Sequence, residues 1–216
     1  MTRYANSVVF LLLFCLLVSS AMAQSREAPE VESIIRQGFP HKIDELKEVT
    51  DALMAEYQQQ GNITSLVFYS YGLLKLAGEY KNINDNVQAS ELAKMGFFYL
   101  DEAVELDEDN WRVRYLRARL DTWLPSDLGR CVVALHDSMK LDKSFKKLAL
   151  KLRKKIKQMQ VYTLRNCQGD KQADSLRREM LQEQPAIAET PLISGAAPIW
   201  DIDELNQVLI PSIKGE

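Results

Sequence analysis

Apolar residues recur at steps of three and four through most of this chain, a spacing that places them on one face of an α-helix rather than on alternate faces of a strand. From His41 onward Ile43, Leu46, Val49, Leu53 and Tyr57 follow the rule, and Gly61 marks the stop. A second helix over residues 63–77 is apolar nearly all round through Leu66, Phe68, Tyr69, Tyr71, Leu73, Leu74 and Leu76, as expected of a helix packed between others. Gly78 and the polar run from Lys81 to Asn86 read as a loop. A third helix, residues 87–106, has Leu92, Met95, Phe98 or Tyr99, Ala103 and Leu106 as its buried members. Asn110, a short polar residue able to accept a backbone N–H, caps a fourth helix over residues 111–123 with the stripe Val113, Leu116, Leu120 and Trp123. Pro125 ends it. A fifth helix, residues 127–140, presents Leu128, Val132, Leu135 and Met139, and a sixth runs unbroken over residues 141–166 on Phe145, Leu148, Leu152, Ile156 and Met159. A short helix over residues 171–182 completes the periodic region.

Both ends of the chain differ from this pattern. Residues 1–23 read as an export signal: Arg3 supplies positive charge, Val8 to Val18 is an apolar run, and Ala21-Met22-Ala23 is a small-x-small cleavage site before Gln24. The 11-residue apolar run falls short of the roughly 20 residues that cross a bilayer. The expected product is an exported chain, periplasmic or secreted, with a loose leader over residues 24–40 that has room for a helical turn at Val31 to Gln37, and a helical domain over residues 41–184. Beyond it, residues 185–216 hold four prolines and form an irregular tail. Within that tail Ile202, Leu205, Val208 and Leu209 form a small amphipathic turn suited to docking on the body or on a partner. Asn62-Ile63-Thr64 is both a glycosylation sequon and a plausible helix start.

A repeat underlies the middle of the chain. Ala103-Val104-Glu105-Leu106-Asp107 recurs as Ser138-Met139-Lys140-Leu141-Asp142, 35 positions on, which sets Gly96 over Cys131 and Leu100 over Leu135. Self-similarity at a period near 34 residues is the signature of stacked helical hairpins. Residues 65–142 resemble the tetratricopeptide repeat family. Its large-large-small-large pattern falls on Phe68, Tyr71, Gly72 and Lys75 in one copy and on Val113, Leu116, Arg117 and Leu120 in the next. Lys75 stands where the family has an aromatic residue, Arg117 where it has a small one, and Glu108 and Lys143 replace the closing proline. The resemblance implies an all-α fold of stacked antiparallel helical hairpins with flanking helices. It also implies a concave groove lined by the first helix of each hairpin, with Tyr69, Leu73, Trp111, Arg114, Ala118 and Asp121 at the matching positions.

Composition narrows the chemistry. A net charge of −3, about −4 without Arg3, argues against nucleic acid, because binding phosphates needs clustered cations. The sequence contains no nucleophile elbow, phosphate-cradling glycine loop or paired-cysteine zinc motif, and its two histidines, His41 and His136, lack ligand partners at helical spacing. The expectation is a non-catalytic protein with no cofactor and no metal. In an oxidising compartment Cys131 and Cys167 form one disulfide, or else Cys131 fills the small buried position that Gly96 fills one repeat earlier.

Two surfaces remain as candidates. The fourth helix carries Arg112, Arg114, Arg117 and Arg119 beside Trp111 and Tyr115, suited to anchoring an acidic or C-terminal peptide group; alternatively, Arg117 pairs with Asp121 and the others are solvated or meet Asp101, Glu105 and Asp109. Residues 143–157 hold eight cations and no acid, which makes Lys147, Lys151 and Lys154 either a site for anionic lipid or a solvated face. The expected function is that of an exported scaffold binding a protein or peptide in the bacterial cell envelope. The alternative is a peripheral membrane component docking through its lysine-rich helix.

Overall fold

The computed structural model describes residues 30–144, 148–183 and 199–215; the expected export signal, Phe145, Lys147 and residues 184–198 lie outside them. The described residues are helical, with no strand among them. In chain order they form α1 (Glu30–Gln37), α2 (Ile43–Gln60), α3 (Ile63–Asn82), α4 (Asn86–Leu106), α5 (Trp111–Asp121), α6 (Cys131–Ser144), α7 (Leu150–Gln168) and α8 (Asp170–Glu183). A C-terminal segment follows, made of α9 (Ile202–Glu204), a π-helical turn (Leu205–Leu209) and α10 (Ile210–Lys214).

Local chemistry sets most boundaries. Gly61 closes α2 in the left-handed region, at φ 67°, where a residue without a Cβ meets no steric penalty. Asn62 then caps α3 by accepting the Thr64 N–H at 3.0 Å, so the Asn-Ile-Thr triplet serves here as a helix start. Asp85 caps α4 through the Gln88 N–H, and Asn110 caps α5 through the Arg112 and Val113 N–H groups. Gly78 does not end α3, which continues to Asn82; one glycine costs about 1 kcal/mol in a helix, too little to break one packed on both sides.

Consecutive helices pack on one another: α2 on α3, α3 on α4, α5 on α6, α6 on α7 and α7 on α8, while α3 and α4 also meet α5. One continuous apolar core includes Leu53, Leu66, Phe68, Leu100, Leu116, Leu141, Leu152 and Ile156.

The buried faces of two helices differ from those the periodicity suggests. Met95, Phe98 and Leu106 of α4 are exposed, Phe98 at 63%, whereas Leu92, Gly96, Leu100, Ala103 and Val104 are buried. The cause is the close approach of α3: a Cβ on Gly96 would lie 2.9 Å from the Leu74 side chain and 3.1 Å from the Ser70 carbonyl oxygen. Likewise α6 buries Ala134, Asp137, Ser138 and Leu141 and turns Val132 and Met139 outward, with Val132 at 77% exposure; Leu128 lies before the helix and is also exposed. Leu135 is half-buried.

The single helix expected over residues 141–166 is two helices. Ala149 is extended, at φ −55° and ψ 142°, just before α7 begins. The apolar spacing runs across this turn because both helices face the same core, so spacing alone could not reveal it.

Candidate functional site

The organising feature is α5, a helix rich in arginine that is nonetheless buried from Val113 to Asp121. Burying a guanidinium costs several kcal/mol unless a carboxylate and further hydrogen bonds compensate it. This fold supplies those partners on two sides.

Toward α4 and α6 the partners are aspartates. Asp137, fully buried, accepts from Arg114 Nη1 at 2.8 Å, from Arg117 Nε at 2.7 Å and from Arg117 Nη2 at 3.0 Å. Arg130, just before α6, donates to both oxygens of Asp121 at 2.9 Å and to both oxygens of Asp101 at 2.6 and 2.8 Å. Arg117 Nη1 joins the two groups by donating to Asp101 at 3.1 Å. The result is a lattice of three guanidinium forks and three carboxylates across α4, α5 and α6. Bidentate pairing of this kind fixes geometry as well as charge. Burial pushes the Asp121 carboxyl up to about 7, against the opposing hydrogen bonds from Arg130.

Toward the C-terminal segment the partners come from the tail. Glu204, fully buried, accepts from Tyr115 Oη and Arg119 Nε, each at 2.8 Å, and from Lys155 Nζ and the Asp201 backbone N–H, each at 3.1 Å. Four donors saturate the acceptor sites of a carboxylate. Arg119 lies between two rings, 4.8 Å from the Trp123 centroid and 5.6 Å from that of Trp200. Its Nη2 donates to the Ile199 carbonyl at 3.1 Å. Asp201 and Glu204 form a reciprocal capping box that starts the segment. Lys155 also pairs with Asp201 at 2.8 Å, Lys151 pairs with Asp203 at 3.2 Å, and Arg112 Nε donates to the Gln207 carbonyl at 3.0 Å. Burial, followed by the Glu204 charge, raises the Tyr115 hydroxyl well above its ordinary value. Partial burial of Asp201 raises its carboxyl, but the Lys155 hydrogen bond and charge together with the backbone N–H groups of Glu204 and Asp203 outweigh this and hold it below the ordinary range.

The segment packs against α1, α3, α5 and α7. Val208 and Leu209 are fully buried in the main core, and Trp200 lies 6.1 Å from Phe68, centroid to centroid. The amphipathic turn around Leu205, Val208 and Leu209 therefore docks on the body, although Ile202 itself is exposed.

Of the expected groove residues, Leu73, Arg114, Ala118 and Asp121 are buried and Tyr69 and Trp111 are half-buried. Arg114 and Asp121 belong to the aspartate lattice, and Tyr69 stacks edge-on with Tyr99 at 5.1 Å. Arg112 and Arg119 face the C-terminal segment, and Asp121 pairs with Arg130 instead of Arg117. The sequence does not single out Asp137, Arg130 or Glu204, because isolated charges read as solvated, and it shows Lys155 only as one of the eight cations of residues 143–157.

In the lysine-rich run, Lys151 is exposed and pairs with Asp203, Lys154 is half-buried, and Lys157 pairs with Asp142 at 3.3 Å. Cys131 and Cys167 are bonded, with their Cα atoms 6.0 Å apart, which ties the start of α6 to the end of α7. Cys131 therefore has a covalent role that its repeat counterpart Gly96 lacks. His136 is exposed and lies 3.5 Å from Asp137. Among the described residues no group of three His, Cys, Asp or Glu is placed to hold a metal ion, and no described helix is long and apolar enough to cross a membrane. Comparisons with protein-family models, with curated proteins and with solved structures find no match.

Proposed function

We propose that this chain is an exported, non-catalytic binding protein of the bacterial cell envelope, whose helices stack as tetratricopeptide-like hairpins and whose α3–α5–α7 face holds a peptide of a protein partner. One observation carries the reading: that face already holds an acidic amphipathic peptide segment, the chain's own, gripped through Glu204 by Tyr115, Arg119 and Lys155. In a tetratricopeptide-like stack these are the first helices of successive hairpins, which line the concave side. The Cys131–Cys167 bond supports an oxidising compartment, as does the apolar stretch before Gln24. Lys151 and Lys155 face acids of the C-terminal segment, which favours a peptide over a lipid surface as the ligand of this face.

Affinity capture from an envelope extract tests the proposal, with the tagged chain and its Glu204→Ala variant as baits and Arg119→Ala as control. A protein retained saturably by the first two and lost from the third supports the reading. Equal recovery on all three baits, or nothing above background, rejects it.

A further inference from the structure

Residues 199–215 bind the body as a ligand would, through side chains at a regular spacing. Trp200 lies against Phe68 and the Arg119 guanidinium, Glu204 fills the carboxylate pocket, and Val208 with Leu209 is fully buried. These anchors stand at i, i+4 and i+8, with Trp200 just ahead of the helical segment, Glu204 in its first turn and Val208 and Leu209 in the π-helical turn that follows. Charge matches as well: Asp201, Asp203 and Glu204 meet Arg119, Lys151 and Lys155. The pocket is specific for a carboxylate, because all three body groups at Glu204 donate and a glutamine NH₂ would face another donor.

The fit is nonetheless incomplete. Arg119, itself buried, has its Nη1 enclosed with no hydrogen-bond partner among the described residues. A second acceptor on a better-matched peptide would take it, adding to the hydrogen bonds that Glu204 and the Ile199 carbonyl already make at Nε and Nη2.

We infer that residues 199–215 are an internal ligand of the α3–α5–α7 face, which admits in their place a partner's acidic helical peptide. That peptide carries an aromatic residue, a carboxylate four positions on and an aliphatic pair four further. The inference rests on the peptide-binding reading above and adds the class of ligand and the reason the resting chain withholds the site. A covalently attached ligand competes at an effective concentration on the order of 1 mM, so a free peptide of equal affinity at about 10 µM takes roughly 1% of the sites. Weakening the internal segment about 100-fold brings that peptide to about half occupancy. Partner binding is thus governed by how firmly Glu204 is held.

The test uses the chain with a protease site placed within residues 186–197 and cut after folding, so that the body keeps all its residues. The probe is a fluorescent peptide of residues 199–215, followed by anisotropy, with circular dichroism reporting the fold. The expected result is saturable uptake by cut protein, at least tenfold less uptake by uncut protein, and at least tenfold weaker binding of the Glu204→Gln peptide. Three results overturn the inference: a folded cut protein that never exchanges its segment, a body that loses its helical fold as the segment leaves, or equal binding of the Glu204→Gln peptide. A captured partner that the peptide fails to displace also overturns it, while leaving the binding-protein reading intact. Exchange of the peptide with no partner ever captured supports the inference and counts against that reading instead.

Discussion

Replacing Asp137 by alanine tests the lattice at its most connected point. Asp137 is fully buried and accepts three hydrogen bonds from Arg114 and Arg117. Without it Arg114 keeps the Glu108 carbonyl at 2.9 Å, and Arg117 keeps Asp101 at 3.1 Å. Removing one partner from a buried ion pair costs about 3–5 kcal/mol, because the remaining charge stays desolvated. The surviving Asp101 contact places this case toward the lower end, about 3–4 kcal/mol. At about 2–4 °C per kcal/mol for a protein of this size, the midpoint falls by about 6–16 °C. Urea and thermal unfolding followed by circular dichroism read the change. Glu32→Ala is the control, since the Glu32–Arg36 pair is exposed and is worth at most about 0.5 kcal/mol. A loss at Asp137 below about 1 kcal/mol, no larger than the control's, would refute the claim that this carboxylate compensates two buried arginines.

Other outcomes follow from the same contacts. Replacing Cys131 and Cys167 by serine opens a crosslink spanning 36 residues, for which the chain-entropy relation gives a loss of about 4 kcal/mol; a urea midpoint unchanged by reductant would contradict the bond. Asp201 titrates below its ordinary value of 3.8 when docked, so its contribution to docking is full above that value and fades as pH falls through the depressed one. Trp200 emission should report release of the segment in that acid range, and an Asp201→Asn variant should lack this component. Gly96→Ala should destabilise by about 1–3 kcal/mol through the clash with Leu74 and the Ser70 carbonyl. Gly78→Ala meets no atom within 4 Å and should stabilise by up to about 1 kcal/mol in the same unfolding assay.

What the sequence reveals of this protein follows the physics of each element. Helix α7 was legible because Leu152, Ile156 and Met159 form a stripe facing the core, and they are buried. Asn110 and Gly61 were legible as caps because their chemistry is local. On α4 the periodicity holds for Leu92 and Ala103 and fails for Met95, Phe98 and Leu106, because a hydrophobicity pattern ignores glycine; the repeat alignment does set Gly96 at a small buried position, and Gly96 meets α3. The face of α6 was misjudged for the opposite reason: Asp137 reads as solvated, yet its partners lie 20 and 23 residues away on α5. The arginines of α5 drew notice as a cluster, but a single sequence does not show which of them will find acids inside the fold. Their division between Asp137 and Glu204 depends on a tail residue 85 positions from Arg119. The disulfide was open for the same reason, since only the antiparallel course of α6 and α7 brings the two sulfurs together.

Amide hydrogen exchange resolved to the C-terminal segment measures most directly whether Glu204 fastens it to α5. In the full chain the amides of residues 205–213, Pro211 apart, should exchange far more slowly than unprotected amides. Glu204→Ala should accelerate them by about 100-fold, the equivalent of losing roughly 2.7 kcal/mol of charge-assisted hydrogen bonds, while α2 and α3 remain unchanged. Amides of that segment exchanging at unprotected rates in the unmodified chain would contradict the account.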